Sequence, residues 1–310
     1  MWDIFLQTLP FFALIGLGFG AGRTGFFTAE ATAYLTKFVF YFALSAMLFR
    51  FSANLSIGGI LDWPFVFAYL WGTLFVYLIA TGVALLRKRG IEEAAVEAQC
   101  AVIGNVGFLG IPMLVLLLGE QAIGPVMLVL AVDLIVFGSL IVILITGSRD
   151  GRMSLGVLRT VGLGLLKNPM IVSISLGLIV SGLGLPIPKP ANEFLSILGA
   201  AATPGALFAI GASLASKSAE KVAVAGWLSF SKLILHPAAV AFAALFMFPV
   251  APYAAGVMIA AAALPVAGNV YILAQHYGVA PARVSASILI STALSVFTVS
   301  AAIAMIESLQ

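Results

Sequence analysis

A succession of apolar runs, each close to 20 residues long, is the feature that most constrains how this chain can fold. A helix of about 20 apolar residues is long enough to cross the hydrocarbon core of a bilayer. Ten such runs, numbered here as spans one to ten, lie at about 4–22, 32–51, 64–86, 94–118, 123–146, 169–185, 195–216, 223–248, 254–277 and 284–306. The sequence therefore predicts an all-α integral membrane protein with ten transmembrane helices.

The composition excludes several classes of soluble protein. Of the 310 residues, 62% are hydrophobic and only 9% are charged, whereas about 25% are charged in soluble domains. A soluble fold of this size cannot bury so much apolar surface in one core, so a soluble enzyme and a nucleic-acid binder are excluded. The sequence has no Walker motif and no cluster of side chains with metal-ligand spacing, and we therefore expect neither a cofactor nor a resident metal.

The basic residues are concentrated in alternate connections between the spans. Connections after odd-numbered spans carry eleven lysines and arginines, whereas those after even-numbered spans carry two, Arg50 and Lys189. Basic connections tend to stay in the cytoplasm. The pattern predicts a multi-pass protein of the cell (inner) membrane whose odd-numbered connections are cytoplasmic and whose termini are both extracytoplasmic.

A short repeat relates the two halves of the chain. Gly-Asn-Val occurs at 104–106 in span four and again at 268–270 in span nine. Each copy lies in the fourth span of a five-span half, and because five is odd, the second half enters the membrane from the opposite side. We predict two inverted five-helix repeats, 1–147 and 168–310, joined by a cytoplasmic connection at 148–167, as in secondary transporters.

Glycine and proline residues lie beside both copies of the repeat and weaken the helix there. An opened backbone within a membrane is tolerated only where protein or a cavity covers it. Spans four and nine are therefore predicted to break near mid-membrane, where two half-helix N-termini and two asparagines would hold an anion. The alternative is that these small residues only allow close helix packing. The predicted substrate site comprises Gly104, Asn105, Val106, Gly107, Pro112, Pro265, Gly268, Asn269 and Val270.

Longer stretches around both copies resemble the auxin efflux carrier family of transporters. They read Gly-Asn-Val-Gly-Phe-Leu-Gly-Ile-Pro at 104–112 and Ala-Leu-Pro-Val-Ala-Gly-Asn-Val-Tyr-Ile-Leu-Ala-Gln at 263–275. Further matches are Lys-Asn-Pro at 167–169, Thr-Pro-Gly-Ala-Leu-Phe-Ala-Ile-Gly-Ala-Ser-Leu at 203–214 and Lys-Leu-Ile-Leu-His-Pro at 232–237. The resemblance covers nearly the whole chain.

This resemblance implies a scaffold of spans one, two, six and seven, which can mediate homodimers. It also implies a transport domain of the other spans, with four and nine crossing, that moves elevator-fashion. Members carry organic anions, auxin in plants and small carboxylates such as malonate or malate in bacteria. The short connection at 148–167 indicates a bacterial-type carrier, and Ser45 stands where members often have proline. We therefore expect alternating-access transport of a small organic anion. The alternatives are a more distantly similar sodium-coupled symporter of the bile-acid type and an anion channel.

Three ionisable residues within the spans are candidates for ion coupling. Asp133 lies about midway along span five, where it could bind H⁺ or Na⁺ or else form a salt bridge with Lys232 or Lys37. Lys232 and His236 are four residues apart and share a helix face, from which they could attract a carboxylate or relay a proton. Alternatively, both residues have a structural role: Lys232 would extend its ammonium to the cytoplasmic membrane interface, and His236 would bond to a neighbouring carbonyl.

Two glycine patterns also suggest other functions. Gly-Ala-Ser-Leu at 211–214 matches a short motif of intramembrane serine proteases, for which His236 would be the activating base. Glycines at 16, 18, 20 and 22 resemble a dinucleotide-binding loop but lie inside an apolar span with no strand before them. Small residues at such spacings more often pack helices together, and we expect no enzymatic activity.

Overall fold

The computed structural model describes residues 2–54, 62–150, 155–215 and 222–307, and within these ranges the chain is helical and contains no strand longer than a single bridged pair. The helices follow one another with short turns between them. They are α1 (Trp2–Arg23), α2 (Ala29–Ala53), α3 (Trp63–Leu86), α4 (Ile91–Val102), α5 (Val106–Leu118), α6 (Glu120–Arg149), α7 (Leu155–Lys167), α8 (Pro169–Gly182), α9 (Lys189–Ala215), α10 (Val222–Met247), α11 (Pro252–Ala262), α12 (Gly268–Tyr277) and α13 (Pro281–Glu307).

Many of these helices have the length and apolar composition of membrane spans. Within the described ranges, α2, α3, α6, α9, α10 and α13 each qualify on their own. The pair formed by Val161–Lys167 and α8 would make a seventh, although it is bent by 71°. Each of the ten predicted spans contains at least one helix, and spans four and nine contain two. The chain is therefore an all-helical, multi-pass membrane protein.

The predicted connection at 148–167 contains a helix, which was not predicted from the sequence because the segment includes several polar residues. Helix α7 occupies its second part, where leucine and valine residues outnumber the basic ones. The bend after α7 follows from Asn168 and Pro169. The Asn168 side chain accepts a hydrogen bond of 3.0 Å from the Met170 N–H, and the proline occupies the first helical position, a combination that starts a new helix.

Helices α1 and α9 pack with their backbones in direct contact. A Cβ atom added at Gly18 would lie 2.1 Å from the Phe208 carbonyl oxygen, and one added at Gly211 would lie 1.9 Å from the Ile15 carbonyl oxygen. A Cβ atom added at Gly22 would lie 2.8 Å from the Ala212 carbonyl oxygen. The contact thus explains Gly18 and Gly22 of the alternating series and the glycine of the protease-like motif. Both patterns therefore serve helix packing.

The helices form two packed groups. In the first, α1 packs against α9, and α2 packs against both α8 and α9. In the second, α3 packs against α4 and α10, α4 against α6, and α10 against α13. The groups meet where α1 contacts α13 and where α9 contacts α5. The first group consists of the helices that the family resemblance assigns to a scaffold.

Candidate functional site

Two helix breaks meet and hydrogen-bond to each other. One separates α4 from α5 and the other separates α11 from α12. The Asn105 N–H donates to the Pro265 carbonyl at 2.8 Å, and the Ala267 N–H donates to the Ile103 carbonyl at 3.0 Å. The breaks thus form a short antiparallel pairing that satisfies backbone groups which a membrane would otherwise leave without partners.

A small cavity of about 60 Å³ lies against this crossing, with room for only a few water molecules. Its walls come from α2, the α4–α5 break, α6, the start of α8 and the start of α12. Six residues predicted from the sequence line it, namely Gly104, Asn105, Gly107, Asp133, Gly268 and Asn269. The structure therefore brings together both asparagines of the repeat and one of the three coupling candidates.

Four other residues of the predicted substrate site do not line this cavity. Val106 and Val270 are buried in the core, and Pro265 contributes its carbonyl to the backbone pairing. Pro112 lines a second, larger cavity of about 430 Å³ between α2, α5 and α9. The wall of the cavity at the crossing thus includes only some of the residues that the repeat predicted for the substrate site.

The two asparagines present polar atoms to the cavity. Asn105 is only 6% exposed and its side chain makes no capping hydrogen bond to α5. The Asn269 Oδ1 is buried and has no hydrogen-bond partner among the described residues. Neither the start of α5 nor the start of α12 is capped by a side chain. Amides in the first turn of a helix have no acceptor within the helix, so these two starts offer hydrogen-bond donors.

Asp133 is 3% exposed and lies at a π-helical turn of α6, a type of irregularity that often occurs at functional sites. Its Oδ1 accepts a hydrogen bond of 2.8 Å from the Tyr69 hydroxyl. Its Oδ2 is buried and has no hydrogen-bond partner among the described residues. Neither Lys232 nor Lys37 forms an ion pair with Asp133 in this part of the chain, so the salt bridge considered from the sequence is not formed.

Lys232 is fully buried and contacts the end of α11 beside the helix crossing, outside the wall of the small cavity. Its Nζ donates to the Ala262 carbonyl at 2.5 Å, at the C-terminal end of α11, where the helix dipole favours a cation. The Nζ also lies 3.2 Å from the His236 Nδ1. A Cβ atom at Gly104 would approach this Nζ to 3.3 Å. Lys232 and His236 therefore lie next to the helix crossing but do not line the small cavity.

The arrangement of His236 does not suit a serine protease. Its Nε2 lies 3.0 Å from the Thr73 Oγ1, and its Nδ1 faces Lys232. Both ring nitrogens thus have partners other than Ser213, whose hydroxyl donates to the Ile210 carbonyl at 2.9 Å. A base that activates a serine needs a free ring nitrogen directed at it.

Sequence reasoning missed several residues that shape the site. Phe40 and Phe108 line the cavity, and their rings stack with centroids 6.2 Å apart. Tyr69 holds Asp133 from α3, and the Ser291 Oγ accepts a hydrogen bond of 3.1 Å from the Val266 N–H in the second break. The Asn168-Pro169 pair signalled a helix start, whereas aromatic and serine residues inside apolar runs carry no distinctive signal.

Comparison with known proteins decides the family. A family model described as "Membrane transport protein" matches residues 3–303. The chain belongs to the auxin efflux carrier family of membrane transport proteins. A protein of Rhizobium meliloti (strain 1021) described as "Putative malonate transporter" is 30% identical over 99% of this transporter and 97% of its own length. The resemblance seen in the motifs is thereby confirmed.

Two more distant relatives extend this comparison. The "Uncharacterized transporter YfdV" of Escherichia coli (strain K12) is 26% identical over 91% of each chain. The "Lysosomal cholesterol signaling protein" of Mus musculus is 27% identical over 69% of this transporter but only 26% of its own length. Family and relatives thus indicate a membrane transporter and not an enzyme.

Proposed function

We propose that this transporter carries small organic anions, mono- or dicarboxylates such as malonate or malate, by alternating access. The observation that supports this most strongly is the meeting of two broken helices at a small cavity whose wall includes both asparagines of the repeat. Transporters with inverted repeats place their substrate site at such breaks. The description of the Rhizobium meliloti relative as a malonate transporter supports a carboxylate substrate.

The site can hold an anion without a basic side chain. Gly107 and Phe108 in the first turn of α5, and Gly268 and Asn269 in the first turn of α12, line the cavity. Helix N-termini carry a partial positive charge and free amide donors, which together bind carboxylates and phosphates. Asn105 adds a neutral side chain that can donate to an anion. We assign the substrate carboxylate to the space between these groups.

The larger cavity supplies a route to this site in the proposed cycle. It contains one basic residue, Arg50, whose Nε donates to the Asn192 Oδ1 at 3.2 Å. Pro112 in its wall lies one helical turn from Phe108 in the wall of the small cavity. The stacked rings of Phe40 and Phe108 would therefore separate the approach from the substrate site, and their separation would open it.

Replacement of Asn105 tests the site. Asn105→Ala should raise the half-saturating malonate concentration by about tenfold or more, because a hydrogen bond to a charged group contributes about 1.5–3 kcal/mol. The measurement is malonate uptake into proteoliposomes over a range of malonate concentrations. Asn269→Ala should behave in the same direction, since both asparagines line one cavity.

Gln275→Ala is the matched control, because Gln275 has an exposed amide side chain on α12 and lines neither cavity. It should leave uptake unchanged, and size-exclusion profiles should show all variants folded. Unchanged uptake by Asn105→Ala would mean that the substrate binds elsewhere. Uptake that never saturates in the unmodified protein would favour a channel.

The membrane arrangement that we propose has ten crossings in two inverted repeats, with both termini extracytoplasmic in the inner membrane. The first helix group, α1, α2, α8 and α9, would be the scaffold and the homodimer surface. The second group would move as the elevator. Two observations support this division: the groups pack mainly within themselves, and the cavity lies between them, with Phe40 on one side and Asp133 on the other.

Cysteine labelling tests the orientation. Cys100 is buried, so a Cys100→Ala background should remove the native thiol without exposing a new surface. In that background, we expect Leu185→Cys to react with a membrane-impermeant maleimide on intact cells, and Lys88→Cys to react only after the membrane is permeabilised. Both positions are exposed turns between helices. The reverse pattern would invert the proposed topology.

A further inference from the structure

The wall of the cavity at the crossing contains one ionisable side chain, which is acidic, and no basic side chain. Of the residues that line it, only Asp133 can carry a charge, and the others are apolar, glycine or asparagine. Asp133 receives a single hydrogen bond, from Tyr69, on one of its two oxygens. The second oxygen, Oδ2, is a buried acceptor without a partner in the described structure.

An ionised Asp133 would oppose the substrate proposed for this site. Two carboxylates that share a water-poor site repel each other strongly, and such pairs retain a proton between them. The half-helix N-termini offset part of this repulsion, but each contributes only about half an elementary charge. One anion can be stabilised by these groups, whereas a second adjacent anion would have only the Lys232 ammonium, which already donates to the Ala262 carbonyl.

We propose that the transporter binds its organic anion together with one proton, which is carried on the Oδ2 of Asp133, so that the protein is a proton–anion symporter. This inference rests on the proposed function. Protonation turns Oδ2 from an unpaired acceptor into a donor that can bond to the substrate carboxylate. The proton comes from the solution with the substrate and leaves with it, and no other bond is made or broken.

A proton suits this site better than a metal ion. Metal ions bound through oxygen are held by about six ligands. In the cavity wall, the buried side-chain oxygens without partners in the described residues are the Asp133 Oδ2 and the Asn269 Oδ1. No group of three or more histidine, cysteine, aspartate or glutamate residues with metal-binding geometry occurs in the described part of the chain. A metal ion would have to take most of its ligands from backbone carbonyls or from the substrate, whereas a proton needs only the Asp133 Oδ2 and one acceptor.

The described groups around Asp133 leave its Oδ2 without a hydrogen-bond donor. From α3, Tyr69 donates to the Oδ1. From α10, Lys232 directs its ammonium to the Ala262 carbonyl and to His236, and His236 packs its ring edge against Tyr69 with centroids 5.9 Å apart. The neighbours from α2, α5, α8 and α12 in the cavity wall are uncharged. No positive side chain in the described structure therefore forms an ion pair with Asp133.

The charge carried per cycle follows from this arrangement. A monocarboxylate with one proton moves without net charge, whereas a dicarboxylate with one proton moves a single negative charge. Binding of anion and proton are linked, so each increases the affinity for the other. Affinity for the anion should therefore increase as the pH falls.

The test measures malonate binding and proton movement together. For the unmodified protein, we expect the dissociation constant for malonate to rise by up to about tenfold per pH unit between pH 6.5 and 8.5. Proteoliposomes that contain a pH-sensitive dye should acidify as malonate enters. Asp133→Asn keeps an acceptor for Tyr69 and removes the titration, so its malonate affinity should change less than about twofold over this range, without proton entry.

Glu30→Gln provides the matched control, because Glu30 is an exposed carboxylate at the start of α2. It should retain the pH dependence. If Asp133→Asn prevents folding, proton uptake by the unmodified protein when malonate is added in weak buffer tests the same linkage without a variant. Malonate transport with pH-independent affinity and no proton entry, or transport that requires Na⁺ at constant pH, overturns this inference alone. Absence of transport for malonate, malate and indole-3-acetate overturns the proposed function as well.

Discussion

Gly211→Val should prevent the transporter from reaching a stable folded state. A Cβ atom at this position would lie 1.9 Å from the Ile15 carbonyl oxygen of α1, and backbone cannot move aside as a side-chain tip can. Overpacking of a core costs about 1–3 kcal/mol when side chains can adjust, and here the α1–α9 pair must separate. We expect destabilisation by more than about 3 kcal/mol, measured as loss of monodisperse protein in detergent and a lower unfolding temperature.

Valine at Gly16 or Gly20 is the matched control. These glycines alternate with Gly18 in the same helix, but nothing lies within 4 Å of a Cβ atom at either of them. Their replacement should change the free energy of unfolding by less than about 1 kcal/mol. Equal losses at Gly16 and Gly211 would show that a β-branched residue disrupts these helices wherever it replaces a glycine, and that the close contact between α1 and α9 is not the cause.

The glycine series illustrates what the sequence could and could not predict. Alternate glycines in an apolar span indicated helix packing, and packing is what Gly18 and Gly22 provide. The partner helix was not predictable, because nothing in residues 16–22 specifies α9. The residue that completes the contact, Gly211, belonged to a motif first considered for a protease.

At the cavity too, the sequence predicted local features of the helices but not the contacts between them. Glycine and proline beside Gly-Asn-Val predicted where α4 and α11 end, since these residues weaken helices locally. The hydrogen bond from Tyr69 to Asp133 was not predictable, because it joins α3 to α6 and a tyrosine in an apolar run has no distinctive pattern. A cavity composed of five chain segments depends on packing that local propensities do not encode.

Glu97→Gln should destabilise the folded transporter by about 3–5 kcal/mol, the usual cost of removing one partner from a buried ion pair. Glu97 is fully buried. Its carboxylate forms ion pairs with Arg87 and with Arg283, which is itself 5% exposed. These contacts join α4 to the end of α3 and to the start of α13. Thermal unfolding in detergent at fixed salt concentration measures the effect.

Glu92→Gln is the matched control, because Glu92 pairs with Arg149 at a solvent-exposed site, where water and salt screen the pair and it contributes little to stability. The double variant Glu97→Gln with Arg283→Gln should recover part of the loss, since it removes the cation that Glu97→Gln leaves buried beside Glu93 alone. A loss in the double variant equal to the sum of the two single losses would show that the two side chains do not interact. In that case the cost of Glu97→Gln would come from the buried amide, because a buried polar group without a partner costs about 1–3 kcal/mol on its own.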